Sequence, residues 1–191
     1  MPTNVYGRGS EVFWGEISPC EHLVQFYEAD GIFLDTLEGF VGGGLRSDES
    51  VIVIATPTHL QQLEERLNRS GIDVTSACAR KQYMTFDAEE TLNSFMRDGW
   101  PDEELFFKIV KDLLAPARQA HRKVRAFGEM VALMWARGEH GATVRLEHLW
   151  HELCATENFS LLCAYPKAGF TESPLASINE ICAAHSRVLP H

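Results

Sequence analysis

Residues 124–166 constrain the fold more than any other stretch of the chain. Two short runs with few polar interruptions, VRAF and FSLLCAY, enclose two segments whose apolar residues recur at helical spacing. A strand with one solvated face alternates apolar and polar residues, whereas a strand covered by helices on both faces does not. The stretch therefore predicts a strand, helix, helix, strand unit in the middle of a parallel sheet.

The rest of the chain continues this alternation. The segments HLVQFY, SVIVIAT and YMTF predict strands, and each is followed by apolar residues at helical spacing. The resulting order is β, α, β, α, β, α, α, β, α, α, β, α. This order predicts an α/β fold with a mostly parallel sheet, helices on both faces and three layers.

Several local signals predict where the helices begin and end. Asp30 is placed to cap the first helix, and the triple glycine at residues 42–44 is typical of its C-terminal end. Asp87, with Glu90 three residues later, resembles a capping box. Pro116 is expected to kink or end a long helix.

Length and composition indicate one domain. The chain has 191 residues, of which 45% are hydrophobic, and this is enough for one sizeable core. Residues 1–19 have the composition of a loop or tail with a small apolar patch at residues 12–14. We therefore expect an N-terminal tail at residues 1–19 and a single domain at residues 20–191.

The charge balance disfavours a nucleic-acid partner. There are 17 Lys and Arg residues against 27 Asp and Glu residues, a formal net charge of −10. Binding to a phosphate backbone requires clustered positive charge. The one basic run, at residues 122–125, is interpreted as a solvated helix end.

Cysteine usage and hydropathy predict a cytoplasmic protein. The five cysteines include no C-x-x-C pair and mostly lie in apolar patterns, so reduced thiols are expected. No run approaches the roughly 18 apolar residues of a membrane span, and no secretion signal is seen. We expect neither membrane nor direct nucleic-acid contact.

Known catalytic and metal-binding motifs are missing from the sequence. No G-x-S-x-G, no G-x-x-x-x-G-K-[ST] and no G-x-G-x-x-G motif occurs at a suitable place. His148 and His151 are three residues apart, whereas the zincin helix needs two histidines four apart on one face. Cys20-x-His22 has no partner pair at zinc-site spacing, which favours a structural or hydrogen-bonded His22. The sequence thus predicts no catalytic residue, no metal ion and no cofactor.

Polar side chains at the predicted carboxyl ends of the strands are the candidate binding residues. In a parallel sheet these ends lie along one edge, where α/β proteins bind ligands. For Thr56 and Asp87 the favoured interpretation is a helix cap or a hydrogen bond to a loop. The candidates are Tyr27, Glu28, Thr56, His59, Asp87, Glu129 and Tyr165.

Glu129 is the most unusual of these residues, because it is ionisable and directly follows a buried strand. We expect its carboxylate to be partly desolvated and hydrogen-bonded, with Tyr27 and Tyr165 as candidate hydroxyl donors. In that position it would accept a hydrogen bond from a small polar ligand. The alternative is that Glu129 caps its own helix and contacts no cavity.

Three segments together resemble a known family. HLVQFYE, GEMVALMW and LEHLWHELCATENFSLLCAYP are similar to the MEDS domain, a sensory module named for methanogen and methylotroph regulators and found in a dichloromethane-responsive repressor. The resemblance covers roughly residues 20 to 185. It implies an α/β fold similar to the RecA and KaiC group without its phosphate loop. The characteristic positions of the family would be His22, Tyr27, Glu129, Glu147, Trp150, Cys163 and Tyr165.

The resemblance also implies a function. We expect a non-enzymatic domain of a bacterial or archaeal signalling or transcriptional system that senses a small organic molecule, a hydrocarbon derivative. Because the chain has no room for an output domain, its signal is expected to pass through a partner protein or through a homo-oligomer. One alternative is an ATP-binding RecA-like protein with an altered phosphate site. The other is an assembly module anchored by the patch at residues 12–14.

Overall fold

A computed structural model describes residue 14 and residues 17–18, 20–118, 121–170 and 174–189. Within these ranges it contains eight strands, eight α-helices and a short 3-10 helix at Lys167–Gly169. The strands are β1 (His22–Tyr27), β2 (Ser50–Ala55), β3 (Tyr83–Asp87), β4 (Met96–Arg97), β5 (Trp100–Pro101), β6 (Val124–Gly128), β7 (Ser160–Pro166) and β8 (Arg187–Leu189). The helices are α1 (Asp30–Arg46), α2 (Pro57–Arg69), α3 (Val74–Ala79), α4 (Ala88–Phe95), α5 (Glu103–Arg118), α6 (Met130–Ala136), α7 (His140–Glu157) and α8 (Pro174–Ala183).

Six strands form one parallel sheet in the order β3-β2-β6-β7-β1-β8. The predicted central unit is present, because β6 and β7 are neighbours in the middle of the sheet and α6 and α7 connect them. The short strands β4 and β5 form a separate antiparallel pair. Those two strands, α3 and the edge strand β8 were not predicted from the sequence.

Helices cover both faces of the sheet, as the alternation of side chains along β1 illustrates. Leu23 and Tyr27 contribute to a core shared with α1, α2 and α3, whereas Val24 and Phe26 contribute to a core shared with α4 to α8. Successive residues of a strand point to opposite faces, so each strand supplies both cores. The predicted three-layer α/β fold is confirmed.

The connections after β2 and β6 leave the sheet in opposite directions. These strands are neighbours, yet β2 is followed by α2 on one face and β6 is followed by α6 on the other. Adjacent strands with diverging connections leave a crevice at their carboxyl ends, and such a switch point is where open α/β sheets bind ligands. The neighbouring strands β2 and β6 therefore form a switch point of this kind.

The triple glycine lies inside α1 and does not end it, so the predicted helix end is wrong. The helix continues to Arg46 and is followed by Ser47. A methyl group added at Gly44 would lie 2.9 Å from Val51 Cγ2 and 3.0 Å from Arg125 Cδ. The missing side chain therefore allows α1 to pack closely on the sheet, which a capping interpretation does not take into account.

The other helix signals had mixed outcomes. Asp30 is the first residue of α1 and not its cap, since Ala29 holds that position without a side-chain bond. Asp87 does cap α4, because its Oδ1 accepts a hydrogen bond of 2.9 Å from the Glu90 N–H. Pro116 lies within the last turn of α5, two residues before that helix ends.

Arg125 overturns the interpretation of the basic run as a solvated helix end. It lies in β6 with 1% of its surface exposed, forms an ion pair with Glu49 and donates a 3.2 Å hydrogen bond to the Phe40 carbonyl oxygen. Arg122, in the same run, pairs with Asp48 at 3.1 Å. A buried guanidinium requires such partners. The run therefore stabilises the domain itself.

Trp14 packs on the domain. Its ring meets the Phe40 ring edge-on at 5.8 Å between centroids, and it lies against Gly39 and Gly43 of α1. The other two residues of the predicted apolar patch, Val12 and Phe13, lie outside the described residues. None of the helices described combines the length and apolar character needed to cross a bilayer.

Replacing Gly44 by Ala is expected to lower the free energy of unfolding by about 1–3 kcal/mol, because the added methyl group overpacks the contact between α1 and the sheet. Urea denaturation monitored by circular dichroism measures this change. Gly31→Ala is the matched control in the same helix, since a methyl group there meets no atom within 4 Å. The control should be neutral or stabilising by up to ~1 kcal/mol. Equal effects of the two variants would contradict the packing explanation.

Candidate functional site

Glu129 joins the carboxyl ends of β2 and β6. Its Oε2 accepts a 2.8 Å hydrogen bond from the Thr56 backbone N–H, and its Oε1 lies 2.7 Å from His59 Nδ1. The register explains this geometry, because Ile54 pairs with Gly128 and the Glu129 N–H then donates to the Ile54 carbonyl oxygen at 2.9 Å. The ladder between the strands thus continues one residue beyond β6 and holds Glu129 opposite the start of α2.

The carboxylate of Glu129 does not cap its own helix. Glu129 occupies the N-cap position of α6, but no side-chain capping bond forms there. Thr56 likewise stands at the N-cap position of α2 without a side-chain capping bond, so its favoured interpretation as a cap is wrong. The prediction of a hydrogen-bonded Glu129 is confirmed, with Thr56 and His59 as the partners.

His59 forms a charge-assisted pair with Glu129. The hydrogen bond to the Glu129 carboxylate raises the pKa of His59 more strongly than burial lowers it. The side chain of His59 is 15% exposed and that of Glu129 is 8% exposed. The pair is therefore largely desolvated, but the imidazole reaches the surface.

Aromatic rings form a wall beside this pair. Phe33 meets the His59 ring edge-on at 5.0 Å and stacks on Tyr27 at 4.9 Å between centroids. Burial raises the pKa of the Tyr27 hydroxyl, and the carboxylates of Glu129 and Asp30 raise it further. Tyr27 is therefore a neutral hydroxyl next to the negative charge of Glu129. We call Tyr27, Phe33, Thr56, His59 and Glu129 the switch-point site.

Tyr165 does not belong to the switch-point site. Its hydroxyl donates a hydrogen bond to Oε1 of Glu147, so the predicted hydrogen bond from Tyr165 to Glu129 is wrong. Glu147, a characteristic position of the resembled family, is fully buried. These two residues belong to a second polar group, the buried cluster, which consists of His22, Glu147, Cys163, Tyr165 and His185.

Strand register and helix packing assemble the buried cluster. β1 pairs with β7, and His22 of β1 lies on the same face of the sheet as Cys163 of β7. Glu147 projects onto this face from α7, and His185 follows α8. The Oε2 atom of Glu147 lies 3.4 Å from His22 Nε2, 3.3 Å from His185 Nε2 and 3.6 Å from Cys163 Sγ.

Backbone carbonyls fix the orientation of both histidines. His22 Nδ1 lies 3.0 Å from the Ala184 carbonyl oxygen, and His185 Nδ1 lies 2.6 Å from the Ile181 carbonyl oxygen. A carbonyl oxygen can only accept, so each Nδ1 carries the hydrogen. Each Nε2 is therefore directed toward Glu147.

Burial and mutual charge shift the pKa values within the cluster. Burial opposes ionisation of Glu147, but the two histidines more than offset it and lower the pKa of Glu147. Burial alone would lower the pKa of His185, yet the Glu147 carboxylate raises it overall. Burial has the largest effect on His22 and lowers its pKa, because it disfavours the charged imidazolium. Burial raises the pKa of the Cys163 thiol, because it disfavours the charged thiolate.

The remaining predicted residues lie apart from both groups. Trp150 is in the core, where it meets Phe106 edge-on at 5.1 Å. Glu28 lies on the surface at the end of β1 and forms a 3.0 Å ion pair with Lys167. The structure therefore divides the predicted ligand-binding residues among two sites, the core and the surface.

A pocket of about 240 Å³ lies at the other end of the sheet. It opens where β6 and β7 begin, and its lining includes Glu49, Arg122, Lys123 and Ser160. None of the predicted ligand-binding residues is among those that line it.

Sequence reasoning missed Phe33 and His185. The apolar pattern of α1 includes Phe33, but the pattern does not show that its ring also reaches His59. His185 lies just beyond an apolar helix pattern, and this position alone does not indicate that it is buried beside Glu147.

The described residues define an α/β domain with a polar switch-point site at the strand ends and a buried polar cluster. A family profile described as "MEDS: MEthanogen/methylotroph, DcmR Sensory domain" matches residues 21–186. The chain belongs to this family, which gives it a sensing role in regulation. No curated protein matches the chain.

Replacing Glu129 by Gln is expected to lower the pKa of His59, because the variant removes the charge that stabilises the imidazolium. Two-dimensional NMR of the histidine rings across a pH series measures this shift. Because the folded-state pKa of His59 is raised, the pair contributes fully to stability below the unfolded pKa and its contribution is lost as pH rises through the folded pKa. The stability difference between wild type and Glu129→Gln should therefore shrink above about pH 6.5. An unchanged titration of His59 in the variant would contradict the pairing.

Proposed function

We propose that this chain is a non-enzymatic sensory domain that binds a small organic molecule at the switch-point site. The observation that carries the proposal is the Glu129 carboxylate, held between Thr56 and His59 where the connections after β2 and β6 diverge. The crevice at such a point is the general ligand position in open α/β sheets. Family membership supports the sensing role.

The chemistry of the switch-point site favours a small ligand with one polar end. A carboxylate has about four lone-pair positions, and the contacts of Glu129 use one on each oxygen, so further acceptor capacity is left. The Nδ1 atom of His59 is directed to Glu129, so Nε2 remains for a second polar contact. Tyr27 and Phe33 supply an apolar wall. These features suit a short hydrocarbon derivative with a hydroxyl or amino group.

The turn after the first strand suits a nucleotide poorly, which favours sensing over the ATP-binding alternative. The turn between β1 and α1 carries Glu28 and Asp30, and Asp30 is the first residue of α1. Phosphate groups bind helix N-termini that present free N–H groups and positive charge. Two carboxylates at this turn repel them.

The switch-point site can report ligand binding because its residues begin two helices on opposite faces. Thr56 and His59 belong to the start of α2, and Glu129 immediately precedes α6. A ligand that competes for Glu129 changes the contact between these two helix starts. We propose that a signalling partner in trans, or a second copy of the chain, recognises this change within a cytoplasmic bacterial or archaeal regulatory system.

Glu129→Gln should weaken binding of any confirmed ligand by about 10-fold or more, because a hydrogen bond to a charged group contributes roughly 1.5–3 kcal/mol. A thermal-shift screen of short alcohols, aldehydes, amines and chlorinated methanes identifies ligands, since binding to the folded state raises the unfolding midpoint. Calorimetry then compares the affinities of the variants. His59→Asn should reduce binding as well.

Glu104→Gln and His148→Asn are the matched controls, because both residues are exposed and lie outside the switch-point site. They should bind every ligand as the wild type does. If the Glu129 and His59 variants also bind a confirmed ligand with wild-type affinity, the site assignment is wrong. Stoichiometric binding of ATP with magnesium would instead support the nucleotide alternative.

A further inference from the structure

Four potential metal ligands converge in the buried cluster. They are His22 Nε2, Glu147 Oε2, Cys163 Sγ and His185 Nε2, and all four atoms lie within 4.8 Å of one another. The residues come from β1, α7, β7 and the segment after α8, so they are far apart in sequence. All four residues are buried. This arrangement differs from the helix with His148 and His151, whose spacing of three residues does not suit a metal site.

Four of the six separations among these atoms are close to the edges of a tetrahedral site, and the other two do not exceed 4.8 Å. Zinc binds nitrogen and oxygen at about 2.0–2.1 Å and sulfur at about 2.3 Å, which makes the tetrahedral edges about 3.3 Å between nitrogen and oxygen and about 3.5 Å to sulfur. The Glu147 Oε2 atom lies 3.4 Å from His22 Nε2 and 3.3 Å from His185 Nε2. Cys163 Sγ lies 3.4 Å from His22 Nε2 and 3.6 Å from Glu147 Oε2.

The hydrogen positions favour a cation at the centre. Both imidazoles donate through Nδ1 to carbonyl oxygens, so in their neutral forms both Nε2 atoms present lone pairs to the carboxylate. His185 Nε2 is a buried atom without a hydrogen-bond partner, although Glu147 lies close to it. Burying acceptors against one another is unfavourable unless a proton or a metal ion lies between them.

The ligand set can neutralise one divalent ion. A carboxylate from Glu147 and a thiolate from Cys163 carry two negative charges, and two neutral imidazoles add none, so one zinc ion leaves the buried cluster without net charge. Without a metal ion, one proton on a histidine balances Glu147 and Cys163 is a neutral thiol. Zinc binding would therefore release two protons, one from the histidine and one from the thiol.

The groups around the ligands are those expected of a metal centre. Each histidine is held by a carbonyl oxygen at its Nδ1, and the Tyr165 hydroxyl donates to the Glu147 oxygen that is not among the four ligands. Such outer contacts fix the tautomer of a ligating histidine and the orientation of a ligating carboxylate. Tyr165, a candidate for direct ligand contact, has this positioning role.

We propose that His22, Glu147, Cys163 and His185 bind one zinc ion in a closed, structural site. With four protein ligands no coordination position is left for substrate or water, so the site stabilises the fold and does not catalyse a reaction. It would fasten α7 and the segment after α8 to the centre of the sheet. This proposal reverses the sequence-based expectation of no metal ion, and it is independent of the switch-point site.

The test uses the full chain, unfolded in denaturant with a chelator and refolded with Zn²⁺, with Co²⁺ or without metal. After desalting, mass spectrometry of the metal content should find about one zinc ion per chain. The zinc-loaded protein should also unfold at a higher temperature than the metal-free protein. The Co²⁺ form should show the intense visible absorption of tetrahedral cobalt and a near-ultraviolet thiolate charge-transfer band.

Variants assign the ligands. Cys163→Ser and His185→Gln should each retain less than about a tenth of the wild-type zinc after desalting. Cys78→Ser and His148→Gln are the controls, since Cys78 and His148 are exposed and lie outside the cluster, and both variants should bind zinc as the wild type does. The cobalt spectrum of the wild type tests the thiolate ligand even if a variant fails to fold.

Two results would overturn the proposal. If the refolded wild type retains no zinc and cobalt gives only the weak absorption of the hydrated ion, a hydrogen-bonded network with a shared proton holds the cluster together. If zinc binds but Cys163→Ser and His185→Gln retain it fully, the metal lies elsewhere on the chain.

Discussion

Coverage of the parallel sheet on both faces is the constraint on which the rest of the structure depends. The four central strands β1, β2, β6 and β7 are buried along nearly their whole length, so a polar side chain within them has no solvated face to occupy. Arg125 meets this constraint through Glu49 and the Phe40 carbonyl oxygen, and His22 meets it through the buried cluster. Buried polar groups that lose such partners are costly. The polar residues of the sheet are therefore tied to particular partners from distant parts of the chain.

The polar residues of the switch-point site lie at the carboxyl ends of the strands. There the chain leaves the paired strands β2 and β6 toward α2 and α6, which pack on opposite faces of the sheet. Glu129 joins the two exits through bonds to the Thr56 N–H and to His59 in the first turn of α2. The topology that covers both faces of the sheet thus places this carboxylate near the surface beside the rings of Tyr27 and Phe33.

Periodicity in the sequence was enough to predict the sheet, the parallel direction of its strands and the position of Glu129 at a strand end. These features depend on local patterns of residues, and so does the cap at Asp87, which follows from the spacing of Asp87 and Glu90. The glycines of α1 and the burial of Arg125 and Glu147 depend on what lies opposite each residue. A helical pattern gives the direction in which a side chain leaves its own helix, but it does not show which residues from other parts of the chain lie opposite that side chain. Pairings such as Glu147 with His185 could therefore not be predicted.

The two sites differ in how firmly their helices are held, and this difference indicates which helix can respond to a ligand. α7 carries Glu147 and buries eight residues, whereas α2 buries only Leu63 and Leu67. Elements with few buried apolar contacts have the lowest free energy of local displacement. α7 is in addition fastened to the sheet through the buried cluster. A ligand at Glu129 that releases His59 therefore acts on α2, the less firmly packed helix, and we expect the response to appear on the face formed by α1 and α2.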